Sequence, residues 1–123
     1  MIDSQSINIE DLVCYIGIEK DTVIELLGIY CHEMSEEMHQ VKMFLKNQDW
    51  PGLQRTIHSI KGVSANLYLQ DMFNAAEVLD IRLKENDYKG IEDSIHNLLY
   101  TFEGTLKSIH IISNQCDQKS KVV

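Results

Sequence analysis

Three residues in the segment Thr56-Ile57-His58-Ser59-Ile60-Lys61-Gly62-Val63 combine types that suit one kind of chemistry. A histidine near pH 7 is largely neutral and holds a ring lone pair able to attack an electrophile. A lysine three residues later lies on a neighbouring part of a helix surface, where its ammonium meets an anion arriving on the ring. Arg55, one turn earlier, adds to that charge. Glycine in a helix interior costs about 1 kcal/mol relative to alanine, so Gly62 needs a reason. A side chain at Gly62 or Ala65 would stand beside the imidazole, where another protein must come close. Nucleophile, cation and open approach together suit the uptake of a phosphoryl group.

The helix that must hold these groups also decides where they point. At about 100° per residue, Leu53, Ile57, Ile60, Ser64 and Leu67 fall within roughly 80° of arc, and His58 lies about 140° from the middle of it. The histidine therefore faces solvent, with Gln54, Arg55, Lys61, Gly62 and Ala65 as neighbours on the outward arc. On the wheel alone, an ordinary surface histidine beside an incidental glycine explains the pattern equally well.

Around this segment the chain reads as helices. From Thr22 to Lys46, Ile24, Leu27, Cys31, Met34, Met38, Val41 and Leu45 recur in steps of three and four, with Thr22 and Glu25 at capping-box spacing. Asp49 caps the next helix and Pro51 falls in its first turn, and this helix runs from about Trp50 to Leu67. A third runs from about Gln70 to Lys84, with Met72, Phe73, Ala76, Leu79 and Leu83 inward. The fourth carries Ile91, Ile95, Leu98, Phe102, Leu106 and Ile109 despite Gly90 and Gly104. Ile7 to Tyr15 reads as a short helix that Gly17 ends. Short connections make long helices antiparallel neighbours. The expectation is an all-α, up-down antiparallel four-helix bundle with a short extra N-terminal helix, spanning residues 1–112. Residues 113–123, polar and aperiodic, form a disordered tail.

Composition removes several classes of function. A chain of 123 residues supports one domain. With a formal charge of −8 it lacks the basic face that nucleic acid or an anionic membrane requires. No apolar run is long enough to span a bilayer, and the N-terminus has no basic-then-apolar leader pattern. Cys14, Cys31 and Cys116 are odd in number and form no C-x-x-C pair, which fits free thiols in a reducing cytoplasm. A monomer is the default for four helices with a polar exterior.

Two carboxylate-x-x-His pairs, Glu36 with His39 and Asp93 with His96, have the spacing of di-iron bundles, but both face outward on the wheel, away from the core where such ligands must point. No metal site is expected, and His32, Glu36 and His39 read as solvated residues. Met34 and Met38 read as core filling, and His110 as a complement to the C-terminal helix dipole. The sequence has neither a P-loop nor a glycine-rich nucleotide lid.

With Arg55 before it and Asn66-Leu67 after, His58-Ser59-Ile60-Lys61-Gly62 resembles the H-S-L-K-G-x-x-x-N-L-G core of histidine-containing phosphotransfer (HPt) domains. The similarity continues without gaps to Leu79-Asp80, where the family commonly has Leu-Glu, and more loosely covers Ile7 to Ile109. The resemblance implies that His58 is the phosphoacceptor of a multistep two-component phosphorelay. Lys61 would stabilise the phosphoryl charge, and Gly62 would leave room for the partner. That partner would be a receiver domain, as in a hybrid sensor kinase or a downstream response regulator, and it would supply both the phosphorylated aspartate and the Mg²⁺. The chain itself would be a carrier without kinase activity or a cofactor of its own, docking through Gln54, Arg55 and Ala65. The alternative is a non-phosphorylated helical adaptor that holds a signalling partner through the same face.

The sequence departs from the family pattern at Ile60 for leucine, Asp80 for glutamate and Tyr68 for glycine. A bulky residue is poorly suited to φ > 0, so Tyr68 predicts that the motif helix runs on or turns differently. None of the departures is expected to touch His58, Lys61 or Gly62.

Overall fold

The computed structural model describes residues 7–121, with side chains described through residue 114. Residues 1–6 and 122–123, assigned from sequence to the domain and its tail, lie outside the described residues. So does the side chain of Cys116. Five helices follow one another: α1 (Ile9–Ile16), α2 (Lys20–Lys46), α3 (Trp50–Asn66), α4 (Gln70–Lys84) and α5 (Ile91–Lys121). The fold is all-helical, as the periodicity predicts, and there is no strand among the described residues. The helices α2, α3, α4 and α5 pack in a ring in chain order, α5 closing back on α2, while α1 lies against α2. No helix among the described residues is long and apolar enough to cross a membrane.

The apolar stripes meet inside this ring. Leu27, Met34 and Val41 of α2, Leu53, Ile57 and Ile60 of α3, Met72 and Leu79 of α4, and Ile91, Ile95 and Leu98 of α5 are all buried. One polar pair crosses the core: the Tyr30 and Ser64 hydroxyls are 2.9 Å apart and hydrogen-bonded. This bond satisfies both groups, and burial is otherwise costly for hydroxyls.

Two helix starts follow the local capping chemistry. Asn8 accepts from the Asp11 amide and Asp49 from the Gly52 amide, so α1 and α3 carry side-chain N-caps. The helix α2 differs from expectation. It begins at Lys20, with Glu19 in the cap position and no side-chain cap bond, and Thr22 is already inside it. The left-handed Gly17 (φ 78°) ends α1 abruptly, and Lys20 then reaches back to Glu10 at 3.7 Å, so the chain re-enters a helix before the Thr22–Glu25 box is reached.

Three helices end in the same way. After α2, α3 and α4, the residues Gln48, Tyr68 and Asn86 adopt φ of 52°, 55° and 55°. Each closes a pair of backbone bonds. At α3, the Leu69 amide donates to the Ser64 carbonyl at 3.0 Å and the Tyr68 amide to Ala65 at 3.1 Å. These are Schellman caps, normally built on glycine. Tyr68 thus makes the turn that glycine would make, and α3 stops at Asn66. Its left-handed backbone costs about 1–2 kcal/mol, which is offset by a stack on Tyr15 of α1, with ring centroids 5.2 Å apart.

The C-terminal region also differs from expectation. The helical backbone of α5 continues past Ser113 to Lys121. No glycine or proline follows Gly104, so nothing stops the helix when its apolar stripe ends. His110 consequently lies well inside α5 and is not a complement to its C-terminal dipole. Gly90 (φ 70°) sits just before α5 and turns the chain into it.

Candidate functional site

The site is built on the middle of α3. Leu53, Ile57, Ile60 and Ser64 are buried, and this face fixes the rotation of the helix. His58 is thereby turned outward, its side chain 69% exposed. Gly62 and Ala65 lie exposed beyond it, and a Cβ added to Gly62 would meet no atom within 4 Å. Arg55 is exposed and Gln54 half-buried on the same helix. The space over Gly62 is open, as an unhindered approach to His58 would require.

Lys61 occupies a different environment from the outward, solvated one expected. Its side chain is only 24% exposed and turns toward α4, where its ammonium lies 3.2 Å from Asp80 Oδ2 and 6.0 Å from the Phe73 ring centroid. A lysine stem can lie along a helix seam while its charge seeks a partner, and Asp80 provides that partner.

Asp80 is fully buried and lies under the motif. Its Oδ2 meets Lys84 Nζ at 2.9 Å, Lys61 Nζ at 3.2 Å and His58 Nδ1 at 3.7 Å. The last distance is longer than a hydrogen bond, and it becomes an ion pair only when the ring is protonated or otherwise cationic. Its other oxygen, Oδ1, is buried without a hydrogen-bond partner. Burial pushes the Asp80 carboxyl upward, but hydrogen bonds and charge from Lys84 and Lys61 outweigh it and hold the group below its ordinary value. Asp80 is thus an anion at neutral pH.

This cluster corrects the expectation that Asp80 stands apart from the motif, since it contacts both His58 and Lys61. Sequence reasoning did not find Asp80 or Lys84 as site residues. A signal was available: an acidic residue interrupts the inward stripe of Ala76, Leu79 and Leu83, with a lysine four residues on. A carboxylate on a buried face requires cations, and the helix before it supplies one.

The remaining constellations fall elsewhere. Glu36, His39, Asp93 and His96 are exposed on α2 and α5, outside the core. Met34 and Met38 are buried core residues. Cys14 is exposed and Cys31 buried, both as free thiols.

Chemically, the arrangement presents an imidazole at the surface with Nδ1 turned to a buried carboxylate. A neighbouring carboxylate favours the tautomer with its proton on Nδ1, which leaves the Nε2 lone pair, across the ring, free to meet an electrophile. In comparison with known families, residues 25–108 match the family model described as Hpt domain. No curated protein and no solved structure matches the chain.

Proposed function

The chain belongs to the Hpt domain family, and on that footing we propose that it carries a phosphoryl group on His58 between the aspartates of receiver domains. Members of this family are phosphocarrier modules of two-component phosphorelays that work with response-regulator receivers. The observation that carries the assignment to His58 is its exposure above the Asp80 carboxylate, with open space over Gly62.

In the proposed transfer, the Nε2 lone pair attacks the phosphorus of an aspartyl phosphate on the receiver. The P–O bond to the aspartate breaks, its electron pair leaving with the carboxylate, as the N–P bond forms. The Nδ1 proton stays in place, so the ring becomes cationic at 3.7 Å from Asp80, which stabilises that charge. Transfer onward is the same step reversed. Lys61, steadied by Asp80, lends positive charge to the phosphoryl oxygens, and Gly62 and Ala65 let the receiver come close. Gln54 and Arg55 form a polar rim. Mg²⁺ belongs to the receiver. A cytoplasmic monomer fits this role.

The test is to incubate the chain with a phosphorylated receiver and Mg²⁺ and to map the product by mass spectrometry. An acid-labile, alkali-stable phosphoryl group on His58, absent from His58→Gln, is expected. No transfer from several receivers to the folded chain would overturn the reading in favour of an adaptor.

A further inference from the structure

Two lysines converge on one oxygen of Asp80, and only one of them belongs to the motif. Lys61 and Lys84 both contact Oδ2, while Oδ1 has no hydrogen-bond partner. One carboxylate with two ammonium groups leaves a positive charge over. That surplus lies on the side of the cluster that His58 shares, in a chain whose overall formal charge is −8. Neutralising Asp80 requires one cation. Among the described residues, Asp80 is the one carboxylate with which either lysine forms a salt bridge, so the two ammonium groups share it.

The two lysines differ in how firmly they are held. Lys61 is 24% exposed and sits beside the Phe73 ring, whereas Lys84 is 54% exposed. Lys84 Nζ and His58 Nδ1 lie 2.9 and 3.7 Å from the same oxygen, so they are no farther apart than those two distances together. The proposed phosphoryl site is Nε2, the ring's other nitrogen, so Lys84 has to swing its flexible four-carbon stem beyond that range, away from Asp80, to meet the phosphoryl oxygens. A phosphorylated histidine brings close to two negative charges, more than Lys61 alone can match while it also serves Asp80.

Resting on the reading of His58 as phosphoacceptor, we infer that Lys84 is a second phosphoryl-binding cation, recruited from α4 when His58 is phosphorylated. Asp80 then holds both lysines in waiting while the imidazole is empty. Lys61 remains its partner when Lys84 turns to the phosphoryl oxygens.

A simpler role for Lys84, as an i,i+4 helix partner of Asp80 alone, predicts different behaviour of the phosphorylated protein. His58 is loaded with phosphoramidate, a small donor that needs no docking, and the ³¹P resonance of the phosphohistidine is followed against pH. The set comprises the unaltered chain, Lys84→Gln, Lys84→Arg and, as a distant control, the exposed Lys107→Gln. A nearby cation lowers the pH at which the phosphoryl group takes up its proton, so Lys84→Gln should raise that midpoint by roughly half a unit. Lys84→Arg should restore it, Lys107→Gln should leave it unmoved, and the phosphohistidine of Lys84→Gln should hydrolyse at an altered rate. Thermal melts confirm that each variant is folded. If Lys84→Gln titrates with the unaltered chain, the inference fails and the phosphoacceptor reading stands. If the unaltered chain takes no phosphoryl group on His58 from phosphoramidate or from phosphorylated receivers, that reading fails and takes the inference with it.

Discussion

His58 Nδ1 faces Asp80 Oδ2 across 3.7 Å, one group at the surface and the other fully buried. The exposed member can meet a partner without any movement of the core, and the buried member is fixed by two helices. The separation of 22 positions in sequence is closed entirely by the packing of α3 on α4.

Replacing the carboxylate by its amide tests this relationship. Asp80→Asn keeps the shape and removes the charge that, in the proposed transfer, steadies a cationic, phosphorylated ring. Phosphotransfer from a receiver at saturating concentration is expected to slow about tenfold, equivalent to about 1.4 kcal/mol in the barrier. Rapid-quench measurement of the transfer step checks it. A rate equal to that of the unaltered chain would remove Asp80 from the mechanism.

Gly62→Leu should improve folding while impairing function. Its Cβ meets nothing within 4 Å, so the folded chain gains about 1 kcal/mol of helix propensity. The same side chain would stand where, in the proposed docking, the receiver approaches. A raised melting temperature, normal loading by phosphoramidate and loss of transfer from a receiver are expected together. Normal transfer from the receiver would sink the open-approach argument.

Gly52, in the same helix, should respond in the opposite sense. An added Cβ would lie 2.8 Å from both Asp49 Oδ2 and Phe44 Cε1, against the carboxylate that caps α3. Gly52→Ala is expected to destabilise the fold by roughly 1–2 kcal/mol through overpacking and a displaced cap. Phosphoramidate loading of His58 should persist below the lowered melting temperature. Chemical denaturation measures the loss.

Tyr30 should make the fold sensitive to alkali. Burial raises its phenol to about 12, against a partial counter-effect of the Ser64 hydrogen bond. A folded value above the ordinary one favours the protonated side chain. The stabilisation is therefore complete below about pH 10 and is lost as pH rises toward 12. Tyr30→Phe should cost about 1 kcal/mol at pH 7, because Ser64 loses its buried partner, and this deficit should shrink by pH 11. Urea unfolding of both proteins at the two pH values gives the comparison.

The sequence reveals those features that a single helix decides. The stripe through Leu53, Ile57 and Ile60 locates the buried face of α3, and the outward position of His58 follows from rotation alone. Asp49 and Pro51 mark the start of α3 because capping is local. The partner of Lys61 depends on how α4 is turned against α3, and no spacing within α3 contains that information. Tyr68 misleads for another reason. Side-chain type predicts the strain of a left-handed residue, but the Leu69 and Tyr68 amide bonds and the Tyr15 ring that offset it come from elsewhere in the fold. The length of α5 was hidden because its last turns have neither an apolar stripe nor a stop residue.

Gln48, Tyr68 and Asn86 each turn a corner that glycine would turn with far more freedom. Residues with a Cβ occupy narrower basins in φ and ψ, so these three corners act as stiff brackets. A hinge at any of them would let neighbouring helices swing and would carry news of phosphorylation as a change of shape. Stiff corners of this kind favour a constant outline of the bundle. If His58 carries the phosphoryl group as proposed, a visiting protein would learn whether it is loaded by touching the group itself, and the message would reside in composition instead of posture.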